Sequence, residues 1–197
     1  MTTPLSVSDK QLLLRLARES IEATVRGHAP PPSDPARLTP ALLRTGTCFV
    51  TLTEHGELRG CIGGLLAQEP LYEDVREHAA QAALRDYRFP PVTPDDVPHL
   101  EIEISVLTEH QPLKYDSPDD LLHRLRPEVD GVILSQGHRR ATFLPQVWER
   151  VPDPELFLSM LCEKMGAPPD TWRRTTLKVQ IYQVESFSEA EFSMHNA

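Results

Sequence analysis

The sequence predicts an α+β fold in which a hairpin, a helix and a strand are used twice behind an N-terminal helix. Two observations carry this. The apolar residues change period along the chain, from helical spacing before Gly27 to strict alternation between Leu100 and Val106. Two β segments, turning at Glu54-His55-Gly56-Glu57 and at Gln136-Gly137-His138, are each followed by a helical stretch and a further strand.

Ser8 with Gln11 resembles a capping box, and Leu13, Leu16, Ala17, Ile21 and Val25 recur at helical spacing, so the first helix is amphipathic. The segment Ala29-Pro30-Pro31-Pro32-Ser33-Asp34-Pro35 cannot continue it, because proline removes a donor and clashes with the preceding turn. Cys48-Phe49-Val50-Thr51-Leu52 and Leu58 to Gly63 form the arms of the first hairpin. Pro70 suits the first turn of a helix whose buried stripe is Leu71, Val75, Ala79, Ala82 and Ala83, ending near Asp86. Leu100, Ile102, Ile104 and Val106 alternate with Glu101, Glu103 and Ser105, giving a half-buried strand with an acidic polar face. A short helix around Asp119 to Leu125 separates the two sets. Gly131-Val132-Ile133-Leu134 and Arg140 to Leu144 make the second hairpin. Helices follow from Pro145 and from Asp153-Pro154-Glu155, the latter carrying Leu156, Phe157, Met160 and Leu161 until Gly166 ends it. Leu177 to Val184 is the last strand. One folding unit over 1–197 is expected, with the helix and linker at about 8–46, the first repeat at about 47–108 and the second at about 129–187.

Composition excludes several classes. A net charge of -9 and a pI near 5.3 leave no basic stripe for a nucleic-acid backbone. The three cysteines, Cys48, Cys61 and Cys162, form neither a disulfide framework nor a zinc ribbon, which fits a reducing cytoplasm. The histidines show no metal-ligand spacing among themselves, so a metal site is not indicated, and without a haem, flavin or nucleotide signature no cofactor is expected. The N-terminus lacks a signal pattern, and no apolar run approaches the roughly 20 residues that span a bilayer. No membrane association is expected.

The most informative segment is Leu58-Arg59-Gly60-Cys61-Ile62-Gly63-Gly64. Strand alternation places Arg59 and Cys61 on one face, where a guanidinium favours thiolate over thiol. Gly60, Gly63 and Gly64 permit close backbone approach, and their N–H groups are candidates for an oxyanion hole. His138, in the second hairpin turn, is the candidate base. The competing reading makes Cys61 a small buried residue where the hairpin crowds another backbone. Asp86 and Arg88 read as a mutual pair holding the loop before Phe89-Pro90-Pro91, or as substrate contacts. Glu101 and Glu103 share a strand face suited to acid/base work or to solvent. Lys164, just before Gly166, suits a helix C-terminus. Trp148 and Trp172 read as packing rings and Cys48 as core.

In register, these segments resemble the AMMECR family, called AmmeMemoRadiSam system protein A in prokaryotes, over nearly the whole chain. The carriers are Leu58-Arg59-Gly60-Cys61-Ile62-Gly63, Asp86-Tyr87-Arg88-Phe89-Pro90-Pro91, Glu103-Ile104-Ser105-Val106-Leu107, Phe143-Leu144-Pro145-Gln146-Val147-Trp148, and Phe157-Leu158 followed by Cys162-Glu163-Lys164-Met165-Gly166-Ala167. Tyr87 departs from the proline common in that family, and Gly64 from a frequent hydroxyl residue. The resemblance implies two repeats around one strongly curved, barrel-like, mainly antiparallel sheet. It also implies a cytoplasmic accessory protein often encoded with Memo-like and radical SAM proteins. On its motifs Gly60, Gly63, Asp86, Arg88, Glu103, Ser105, Gln146 and Lys164 are the expected binding residues, for a small molecule or modified group in a cleft. Cys61, Arg59 and His138 are the expected catalytic set for group transfer. The alternative is a non-catalytic protein-binding adaptor in which the motif is structural.

Overall fold

In the computed structural model, which describes residues 4–193, the first helix starts earlier than its sequence suggests. Helix α1 (Val7–Thr24) is capped by Ser6, whose side chain accepts the Asp9 N–H at 3.1 Å while Asp9 accepts the Ser6 N–H at 3.0 Å. Asp9 wins over the Ser8/Gln11 alternative because its second oxygen also takes the Thr39 hydroxyl, at 2.7 Å. After the proline segment come α2 (Pro40–Leu43), β1 (Thr45–Gly46), β2 (Cys48–Glu54), β3 (Glu57–Gly63), β4 (Glu69–Pro70), α3 (Leu71–Leu84) and β5 (Leu100–Leu107). The chain continues through β6 (Gln111–Pro112), α4 (Pro118–Arg124), β7 (Gly131–Gln136) and β8 (Arg139–Phe143). A 3₁₀ turn (Pro145–Glu149) then leads to α5 (Pro154–Lys164), α6 (Thr171–Arg174), β9 (Lys178–Tyr182), β10 (Val184–Ser188) and α7 (Glu189–Ser193).

Two compact units result. One runs to Leu107 and resumes at Glu185; the other is Thr108–Val184. In the first, an antiparallel sheet of order β10-β5-β2-β3 packs one face on α1 and α3. Cys48, Val50 and Leu52 pair with Val106, Ile104 and Ile102, and all six side chains enter a core with Leu13, Ala17, Ile21, Val75 and Ala79. In the second unit, the sheet order is β6-β9-β7-β8. Val132, Leu134 and Val179 meet Phe157, Leu158 and Leu161 there. Trp148 stacks on Phe157 at 3.6 Å between centroids and donates its ring N–H to the Asp130 carbonyl at 2.8 Å. Both tryptophans are core.

The α+β class, the N-terminal helix and the repeated order hold, and two details change. The strands form two open four-stranded sheets and a two-residue ribbon of β1 and β4, not one barrel-like sheet. The expected last strand is split, because Gln183 leaves the ladder. Its N–H goes to the Thr108 hydroxyl, its carbonyl accepts the Thr108 N–H, and β9 and β10 then pair into different sheets. Among the described residues no helix is long and apolar enough to cross a membrane.

Candidate functional site

The cysteine motif lies on β3, the outermost strand of its sheet. β2 and β3 pair Thr53 with Leu58 and Leu52 with Gly60, so Arg59 is the extra residue of a β-bulge. That bulge breaks the alternation expected to set Arg59 beside Cys61. Arg59 instead donates to the carbonyls of Pro90 at 2.6 Å and Pro91 at 3.3 Å and stands 3.4 Å from the Asp96 carboxylate. It fastens the loop that follows α3.

Beyond the bulge, Cys61 pairs with Thr51 and Thr51 with Glu103, a row across the face turned away from α1 and α3. Gly63, Phe49 and Ser105 form the next row. An outermost strand leaves alternate backbone groups without a ladder partner. At Cys61 two side chains replace the missing strand. Asp86 accepts the Cys61 N–H at 2.8 Å, and Arg88 Nη2 donates to the Cys61 carbonyl at 3.2 Å. The two are themselves joined by Arg88 Nε to Asp86 Oδ1 at 2.9 Å and Nη2 to Oδ2 at 2.6 Å. The Arg88 hydrogen bonds overcome the opposing burial and, with the Cys61 N–H, hold the Asp86 carboxyl well below the usual carboxylate range. The Cys61 thiol is half-buried, and the Thr51 hydroxyl donates to its sulfur at 3.4 Å.

The glycines have packing reasons. A side chain at Gly60 would overlap the Ala82 carbonyl oxygen of α3, and one at Gly63 would overlap the Phe49 ring and the Cys48 carbonyl. The Gly64 N–H donates to the Cys48 carbonyl at 3.2 Å. The amides of Cys61 and Gly64 are thus engaged within the fold.

The first unit therefore gathers Arg59, Gly60, Cys61, Gly63, Asp86, Arg88, Glu103 and Ser105 around one sheet edge and face. Glu103 stands two strands from Cys61, about 10 Å at ordinary strand spacing. The Ser105 hydroxyl lies 2.9 Å from that of Ser186 on β10. His138, Gln146 and Lys164 belong to the other unit. His138 is exposed in the β7–β8 turn, and Gln146 lies in the 3₁₀ turn. Lys164 donates to the Thr142 carbonyl at 2.9 Å with its ammonium over the Phe143 ring.

A second cluster, inside the first unit, escaped the sequence reading. Asp74 accepts the Cys48 N–H at 2.8 Å and the His78 Nδ1–H at 3.0 Å, and the Thr47 hydroxyl reaches its other oxygen at 3.4 Å. The Cys48 sulfur lies 4.0 Å from His78 Nδ1. Burial first, and the Asp74 charge second, push the Cys48 thiol well up, so this sulfur keeps its proton. Asp74 and Cys48 both face Nδ1, so the three do not form a relay in which acid and nucleophile take opposite ring nitrogens. The available signal was the four-residue spacing of Asp74 and His78 on one helix face.

The AMMECR1 family model matches residues 14–187, across both units. The chain belongs to the AMMECR1 family. A relative from Methanothermobacter thermautotrophicus is 39% identical over 189 residues, covering 94% of this chain and 97% of its own. Another, from Thermofilum pendens, is 38% identical and covers 94% of this chain and 92% of its own. The crystal structure of an uncharacterized protein from Pyrococcus horikoshii matches with a TM-score of 0.82 at 34% identity, covering 90% of each chain. In this AMMECR1-family chain, the motif is thus a clamped strand edge that presents one thiol beside a hydroxyl and a guanidinium whose side chain is 46% exposed.

Proposed function

We propose that the protein binds a small molecule or a modified protein group on the outer face of its first sheet and uses Cys61 as nucleophile in group transfer. The observation that carries this reading is the Asp86–Arg88 clamp, which fixes both backbone groups of Cys61 while leaving its thiol half-buried rather than sealed in the core. A nucleophilic thiol needs a fixed position, a nearby cation and a hydrogen-bond donor to sulfur; Arg88 and Thr51 are placed for the last two roles. In the transfer, the sulfur attacks an electrophilic carbon. An S–C bond forms, the bond to the leaving group breaks with its electron pair on that group, and the thiol proton passes to solvent or to the leaving group. Cytoplasmic work alongside Memo-like and radical SAM proteins is part of the proposal, and it rests on the family resemblance alone.

The adaptor reading has its own support: Arg59, Gly60, Gly63 and Asp86 each fill a packing or hydrogen-bonding role without any ligand. Alkylation by iodoacetamide separates the two. The nucleophile reading predicts that Cys61 of the folded wild-type chain is carboxamidomethylated at pH 7, several-fold more slowly in Arg88→Gln and at an unchanged rate in Arg59→Gln. Cys61 that reacts only on unfolding defeats this reading and leaves the adaptor.

A further inference from the structure

We propose that Cys48, Asp74 and His78 form a binding site for a zinc-class divalent cation, separate from the Cys61 motif. One sulfur, one carboxylate oxygen and one imidazole nitrogen come within 4.8 Å of one another. Tetrahedral zinc, bonded at about 2.0–2.3 Å, spaces its donors by roughly 3.4–3.6 Å. Two donor pairs stand at 3.0 Å and 4.0 Å and the sulfur–carboxylate pair within 4.8 Å, so shifts of about half an ångström set the first two and the third closes by at most about 1.3 Å to reach that spacing. The scaffold is rigid on both sides. Asp74 and His78 are one helical turn apart on α3, and Cys48 comes from β2, which packs against that helix. Thiol, imidazole and carboxylate together suit zinc rather than magnesium or calcium, which take oxygen ligands.

The surroundings fit as well. The Cys48 N–H and the Thr47 hydroxyl already orient the Asp74 carboxylate, as outer hydrogen bonds do for metal-bound carboxylates. Cys48 is fully buried, whereas the His78 side chain is 15% exposed, so the cation arrives from the histidine side. On binding, the Cys48 proton leaves to solvent and His78 moves its proton from Nδ1 to Nε2, freeing Nδ1 for the metal. Three protein ligands leave a fourth position for water or an exchangeable group.

Cobalt(II) is the probe, because its bond to a thiolate gives a near-ultraviolet charge-transfer band. The chelator-treated full-length chain is expected to take up one equivalent of cobalt with this band, and zinc to displace it. His78→Gln, which changes the most exposed ligand, is expected to weaken cobalt binding at least about tenfold. Cys48→Ala is expected to abolish the band, and Cys61→Ser to leave it intact. No band in the wild type overturns the site; so does a band that survives Cys48→Ala or one that vanishes in Cys61→Ser. Should Cys48→Ala fail to fold, His78→Gln decides alone, and unchanged affinity there refutes the proposal.

Discussion

The two hairpins share one framework and differ at the atom that matters. Counted from their turns, Thr51 pairs with Cys61 where Ile133 pairs with Thr142, and Leu52 with Gly60 where Leu134 pairs with Ala141. In each, a cation at or after the C-terminal end of the following α-helix takes the outer carbonyl of the same position: Arg88, past α3, for Cys61 and Lys164, the last residue of α5, for Thr142. An aromatic ring lies over a glycine in both sheets, but at different register positions: Phe49 on β2 covers Gly63 on β3, whereas Gly131 on β7 stands where Phe49 does and is covered by Tyr182 of β9. The tyrosine brings a hydroxyl that the phenylalanine lacks. It stands 2.8 Å from the Thr142 hydroxyl, which also donates to the Val132 carbonyl at 2.9 Å, so Thr142 is closed into a network. Burial pushes the Tyr182 hydroxyl up to about 12, which keeps it protonated across the working range. The comparison teaches that the cation on the outer carbonyl belongs to the shared architecture, whereas the glycines differ in position. The thiol and the bulge belong to the first hairpin alone.

The largest effect is expected at the glycine–alanine position. Gly60→Ala drives a methyl into the Ala82 carbonyl and should cost about 3 kcal/mol in urea unfolding, whereas Ala141→Gly should cost only about 1 kcal/mol. Equal costs would break the idea that α3 crosses its strand more tightly than α5 does. Next comes the clamp. Asp86→Ala leaves the Cys61 N–H without its partner and should cost about 2 kcal/mol, a figure discounted because Arg88 is half in water.

The same carboxylate sets a pH dependence. Because the folded protein holds Asp86 below its ordinary value, the unfolded chain takes up the proton first as pH falls. Its contribution is complete above about pH 4, the unfolded value, and drains away as pH falls toward the lowered folded one. Asp86→Asn should flatten that part of the acid-unfolding profile, and an unchanged slope would remove the clamp from the account. The smallest effect belongs to the second repeat, where Lys164→Met should cost about 0.5–1 kcal/mol, since the bond of an exposed ammonium to the Thr142 carbonyl is screened by water. A larger loss there than for Asp86→Ala would reverse the comparison.

Much of this framework was legible from periodicity. The stripe of Leu13, Leu16, Ala17 and Ile21, the alternation from Leu100 to Val106 and the two turns each fix an element, because burying one face leaves few alternatives. The bulge at Arg59 was hidden, since one inserted residue changes the facing of its neighbours without altering composition. The parting at Gln183 was hidden too, because alternation marks a strand but not its partner, and the period runs through from Leu177 to Val184. The helices α2, α6 and α7 are too short for a periodic signal. At the site, the Asp86–Arg88 pairing was readable from two charges two residues apart. Its target was not, because the Cys61 backbone is brought to it only by the packing of β3 on α3.

The first hairpin carries a half-buried thiol where its counterpart carries a hydroxyl tied to Tyr182 and Val132. The direct measurement compares iodoacetamide alkylation of the wild type at Cys61 with that of Cys61→Ser/Thr142→Cys at position 142, by mass mapping of the folded chains at neutral pH. Alkylation at least about tenfold faster at Cys61 is expected, because the Tyr182 hydroxyl would hydrogen-bond a group at position 142, whereas at Cys61 the Thr51 hydroxyl and the Arg88 cation stand beside a half-buried sulfur. Equal rates, or faster reaction at 142, would contradict it.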